Sequence, residues 1–149
     1  MSTRCNIIVK GDFDEELIFY RHSDGYPDGA LPLLNKFVEL VQKGQIRSNV
    51  GQASGWLVLL GAVEYQTLTP TCFPGGGKEK YGTNHKIVGD AIDSFIPGYW
   101  KCGSIEPTTL VHCDIDYLYV VDLTVPAVYQ DGEDDYKYQG KFSKETTDA

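Results

Sequence analysis

The stretch Tyr20-Arg21-His22-Ser23-Asp24-Gly25-Tyr26-Pro27 brings a guanidinium, an imidazole, a carboxylate and two phenol rings together in one short segment. Arg21 has the planar fork that grips a phosphate, and Tyr20 or Tyr26 can stack on a base. Gly25 and Pro27 fit a fixed turn rather than a floppy one. On a strand, Tyr20 and His22 share one face while Arg21 and Ser23 take the other, so no single ligand need touch all of them. A purely structural role is open as well: Asp24-Gly25 as a turn, with Asp24 bonded to local amides and His22 pinning it. Tyr20, Arg21, His22, Asp24 and Tyr26 are the first candidate ligand contacts.

The second candidate is the glycine-rich segment Gly75-Gly76-Gly77-Lys78, followed by Lys80, Tyr81, Asn84, His85 and Lys86. Successive glycines let backbone amides form an anion-binding nest, and the lysines supply charge. Gly76, Gly77, Lys78, Lys80, Tyr81, Asn84 and His85 are the contacts expected there. It is not a P-loop, because no Lys-Ser or Lys-Thr follows a GxxxxG pattern. A flexible solvated loop that orders over a phosphate is compatible with the same composition.

The third candidate is His112, Asp114 and Asp116. Alternation on a strand sets such side chains roughly 7 Å apart on one face, a weak arrangement for a metal that would need help from a residue such as His85. One strand rarely supplies a whole site, and a hydrogen-bonded strand face accounts for the pattern equally simply. Ser54 lies in Gly51-Gln52-Ala53-Ser54-Gly55, which is not a nucleophile elbow. Cys5, Cys72, Cys102 and Cys113 show no paired CxxC spacing and read as free thiols. No complete catalytic set or cofactor motif is present, so binding without catalysis is the expectation, with no cofactor.

Several elements must position these groups. Asn6 to Lys10 and Leu17 to His22 read as strands joined by the turn residues Gly11-Asp12-Phe13-Asp14, a hairpin. Asp28 is the expected cap of a helix whose apolar stripe is Leu33, Leu34, Phe37, Val38, Leu40 and Val41, closed by Lys43-Gly44. Gly51 to Gly55 reads as a loop, and Trp56 to Tyr65, apolar on all sides, as a buried helix. Ile87 to Phe95 suggests a short helix. Gly98 to Ile105, Thr109 to Leu123 and Tyr136 to Phe142 are expected as strands, with Glu106-Pro107 turning the first into the second. The fold class expected is α+β: an antiparallel sheet, made of an N-terminal hairpin and a C-terminal meander, packed against two main helices. Residues 1–142 are expected as a single domain and 143–149 as a polar tail.

Composition bounds the partners. The chain has 149 residues, 42% hydrophobic and 12% aromatic, the balance of a folded globular protein. Its formal charge of −8 disfavours direct nucleic-acid binding, which requires a basic surface. No apolar run reaches the ~20 residues of a membrane span, and the N-terminus carries no signal-peptide pattern, so no membrane and a cytoplasmic location are expected. The ten tyrosines suit ligand sites and subunit contacts, and a homo-oligomer is expected.

Several blocks in order carry a resemblance: Met1-Ser2-Thr3-Arg4, Phe19 through Pro27, Ser54-Gly55-Trp56-Leu57, Trp100-Lys101, and Glu106-Pro107-Thr108-Thr109 through His112 to Asp114-Ile115-Asp116-Tyr117-Leu118-Tyr119. Across most of positions 1–123 the chain resembles a family of small, mostly uncharacterised proteins of bacteria and their phages. Cys113 stands where that family usually has Gly. The resemblance supplies no catalytic residues. Its phage association implies an anti-defence role in a host cytoplasm, by analogy with Thoeris anti-defence proteins that sequester a nucleotide signal.

Three functions follow as expectations. The first is a phage or mobile-element protein that captures a small phosphorylated, nucleotide-like ligand such as a cyclic nucleotide signal. The second is an acidic inhibitor that binds a host nuclease or other defence protein directly, through Asp12, Asp14, Glu15, Glu16 and the Glu133 to Asp135 cluster. The third is a metal-assisted phosphodiesterase built on His112, Asp114 and Asp116.

Overall fold

The computed structural model describes residues 3–68 and 105–143. Their elements are β1 (Cys5–Lys10), β2 (Glu16–Arg21), α1 (Pro27–Gln42), α2 (Val50–Leu68), β3 (Ile105–Thr108), β4 (Tyr117–Asp122) and β5 (Ala127–Gln130). The strands form one sheet in the order β3-β2-β1-β4-β5, and the arrangement is α+β. The sheet is not wholly antiparallel: β1 and β4 run parallel, with Ile7 opposite Tyr119, while the other pairs are antiparallel. β1 is therefore central and covered on both faces, which is why Ile7-Ile8-Val9 is continuously apolar rather than alternating.

The β1–β2 hairpin forms as its turn residues predict. Gly11 N–H donates to Glu15 O at 3.0 Å and Glu15 N–H donates to Asp12 O at 3.1 Å. The turn holds Phe13 and Asp14 at φ 59° and 60°, a left-handed conformation that costs a side chain about 1–2 kcal/mol.

α1 buries Leu33, Leu34, Phe37, Val38 and Val41 as its spacing predicts, while Leu40 of the expected stripe is only partly buried. Truncating a fully buried Phe37 to Ala would cost about 3–5 kcal/mol. Asp28 is not the cap: Tyr26 holds that position without a side-chain bond, Pro27 opens the helix, and Asp28 lies in the first turn, where its charge complements the helix dipole.

α2 begins earlier than its hydrophobic run suggests. Gly51 to Gly55, expected as a loop, forms its first turns, because Asn49 caps it: Oδ1 accepts from Gln52 N–H at 3.0 Å. Ala53, Leu57 and Leu60 then make a buried stripe against the sheet.

Helices cover one face, where Cys5, Ile7, Val9, Phe19, Tyr119 and Val121 join the helical stripes. The other face carries a second cluster of Ile8, Ile18, Val111, Val120 and Tyr138, with Leu118 of β4 beside it and a roof of Ile115, Tyr136 and Phe142. That roof corrects three expectations. Residues 109–116 are not strand: Ile115 packs on the outer face and Tyr117 on the helix side, although a continuous strand would put both on one face. Tyr136 to Phe142 is a strap of turns across the outer face rather than a strand. Glu106-Pro107 is no turn but part of β3, tolerated because among the described strands β3 is an edge where Pro need not donate to a neighbour. The Ile87 to Phe95 helix and residues 98–104 of the expected strand lie outside the described residues. No helix among the described residues is long and apolar enough to cross a membrane.

Candidate binding site

The end of β2 sorts the first candidate residues by strand parity. Arg21 points toward the helices and is 1% exposed. Its Nη1 donates to Gly29 O in the first turn of α1, at 3.4 Å. Beside it, burial pushes the Cys5 thiol up to about 12, an effect the Arg21 charge partly offsets. Tyr119, also raised by burial, donates its hydroxyl to Gly25 O at 2.7 Å. Arg21 is thus an interior cation that joins β2 to α1. Asp24 sits at φ 60° in the connection between β2 and α1, while Tyr26 is exposed at the start of α1.

Tyr20 and His22 lie on the opposite, outer face. The Tyr20 hydroxyl and His22 Nδ1 share a 2.9 Å hydrogen bond. His112 stacks on Tyr20 with ring centroids 4.1 Å apart, held there because its backbone N–H donates to Asn6 Oδ1 at 2.9 Å. Asn6, fully buried in β1, also donates from Nδ2 to Phe19 O at 2.8 Å. Arg4 completes the group: its Nε lies 3.6 Å from Asp114 Oδ2. Burial raises the Tyr20 hydroxyl pKa while the Arg4 charge lowers it. Arg4 is not among the candidate contacts named from the sequence; its proximity arises because Asp116 N–H donates to Arg4 O at 2.9 Å, tying the loop to the start of β1.

His112, Asp114 and Asp116 do not line one strand face. His112 stacks inward, Asp114 turns to Arg4, and Asp116 Oδ2 accepts from Arg4 N–H at 3.4 Å. Among the described residues, no three His, Cys, Asp or Glu side chains converge as metal ligands. Gly76, Gly77, Lys78, Lys80, Tyr81, Asn84 and His85 lie outside the described residues, as do Cys72 and Cys102. Cys5 is a buried free thiol and Cys113 an exposed one.

Next to His112 the strap encloses a cleft of about 590 Å³. Its floor is Leu118 and Gln130; its walls are the 111–117 loop and Asp131, Gly132, Glu133, Tyr138 and Phe142. Asp116, Asp131 and Glu133 line it, and among the described residues no Lys or Arg does. Asp131 Oδ1 accepts from Tyr138 N–H at 2.6 Å, and Tyr136 stacks on Tyr129 with centroids 4.6 Å apart, so the strap is well anchored.

Tyr138 is also a wall of a second cleft, of about 360 Å³, which Asp14, Glu15 and Glu16 line together with Lys10 and Lys137. The Tyr138 hydroxyl donates to Glu16 Oε1 at 2.7 Å, and Lys141 N–H donates to the same oxygen at 2.8 Å. The two acidic segments of the sequence therefore flank a common tyrosine. Such carboxylate-lined, partly apolar clefts suit a guanidinium or ammonium better than a phosphate. Comparisons of the chain with known family models, with curated proteins and with solved structures find no match.

Proposed function

We propose that this chain acts by binding, as an acidic protein that docks on a basic surface of another protein. With the phage resemblance, that target would be a host nuclease or other defence protein. The observation that carries this reading is the cleft lined by Asp116, Asp131 and Glu133, with no lysine or arginine among its described lining residues. The net charge of −8 supports it by steering a basic partner toward the molecule. A calorimetric titration of the full chain with an arginine-rich peptide tests it. Binding should weaken steeply between low and high salt and fall several-fold in the double variant Asp116→Asn/Glu133→Gln. Salt-insensitive binding, or none, overturns it.

A second reading is capture of a small phosphorylated ligand, such as a cyclic nucleotide signal, without catalysis and within a homo-oligomer. Arg4, Tyr20, His22 and His112 on the outer face favour it, since they combine cationic donors with stacked rings. It stands second because Arg21 is engaged in the interior and Arg4 lies beside Asp114. Titration with cyclic nucleotides separates the two readings.

A further inference from the structure

We infer that the β1–β2 turn is a docking finger whose anchor is Phe13, and that it seats in an apolar pocket rimmed by Lys or Arg on a partner protein. This rests on the protein-binding reading above and assigns that reading a contact point.

Phe13 is 95% exposed, so it contributes nothing to either apolar cluster. It is also held at φ 59°, a conformation that disfavours a bulky side chain. A turn selected only for folding would carry Gly or Asn there. The Gly11–Glu15 and Glu15–Asp12 backbone bonds close the turn, so its backbone presents the ring with little ordering left to do. Buried aromatic anchors of this kind dominate interface energetics.

The surroundings define the occupant. Asp12, Asp14 and Glu15 flank Phe13 and are exposed, and the turn holds no cation. Lys10 pairs with both Glu16 and Asp122, which places the β4–β5 turn at the same end of the sheet. Two more exposed apolar side chains lie there, Leu17 at 43% and Val125 at 56%. An apolar tip ringed by carboxylates matches an apolar pocket with a basic rim. A second copy of this chain, at −8, is the wrong sign for it, as is an anionic membrane or nucleic acid.

Two measurements test the finger. Phe13→Asn relieves the backbone strain, so this variant should melt at or above the wild-type temperature; a loss of several degrees would show that Phe13 serves folding and would overturn the inference. For binding, the full chain carrying photoreactive p-benzoylphenylalanine at position 13, or in place of Cys113 in the cleft of Asp116 and Glu133, is irradiated in bacterial lysate. The crosslinked protein is then purified and titrated with unlabelled chains. The inference expects crosslinking from position 13, a dissociation constant raised at least tenfold by Phe13→Asn, and a further salt-dependent loss with Asp12→Asn/Asp14→Asn. A constant unchanged within twofold by Phe13→Asn overturns it. Crosslinking from position 113 alone overturns the finger and leaves the protein-binding reading standing; crosslinking from neither position overturns both.

Discussion

The Tyr138 hydroxyl donates to Glu16 Oε1 at 2.7 Å and accepts from Phe142 N–H at 2.9 Å, so one phenol fixes the strap to β2 and closes its own turn. Burial and the Glu16 carboxylate together raise its pKa, which keeps the hydroxyl a donor throughout the neutral range. Both clefts use this ring as a wall.

Tyr138→Phe should therefore cost about 1–3 kcal/mol, because Glu16 loses a donor and the Phe142 amide loses its acceptor. Urea denaturation measures the loss. Hydrogen exchange in the Tyr138 to Ser143 strap should rise more than exchange in β1. Uniform or unchanged protection would show that the strap is held by apolar packing alone.

Two glycines on the chain should respond oppositely to a methyl group. A Cβ at Gly25 would sit 2.8 Å from Thr3 O and 2.9 Å from Cys5 N, both backbone atoms that have little room to yield. Gly25→Ala should destabilise by about 1–3 kcal/mol. At Gly55, in α2, no described atom lies within 4 Å of the added carbon. Gly55→Ala should stabilise by about 0.5–1 kcal/mol through the higher helix propensity of alanine. Thermal melts of both variants against wild type check the pair.

Stability should fall in alkali. The Cys5 thiol rises from 9.0 to about 12 in the fold, and the Tyr20, Tyr119, Tyr136 and Tyr138 hydroxyls also rise above 10.0. The folded state holds these protons more tightly than the unfolded chain does. Their contribution is thus complete below the unfolded values and is lost as pH climbs through the folded ones. Each group titrating only in the unfolded state adds a slope of about 1.4 kcal/mol per pH unit. The urea midpoint should be level near neutrality and drop once pH passes 9.0, the unfolded thiol value. Cys5→Ala should delay the onset toward 10.0, where the tyrosines begin. A level midpoint through this range would contradict the burial of these groups.

Legibility followed how local the determining interaction was. The β1–β2 hairpin and the α1 stripe depend on turn residues and on periodicity within one element, and both were readable from the chain. The apparent strand over Thr109 to Leu123 was misleading because Val111 and Ile115 are apolar for another reason: they roof the outer face while the loop is held by Asn6 and Arg4 across the sheet. The parallel β1–β4 pairing likewise depends on a crossover that no short window contains. At the site, alternation along β2 already implied that Arg21 and Tyr20 face opposite ways, but not that Arg21 would be engaged at Gly29. Asp116, Asp131 and Glu133 come together only through the strap, so no sequence spacing marked the cleft.

On the proposed function, a protein with cationic side chains occupies the acidic face. Native mass spectrometry of the full chain isolated from bacterial cells at low salt tests it most directly. The expected result is a retained protein partner that dissociates as ammonium acetate concentration rises. A retained small phosphorylated molecule with no protein partner would contradict it.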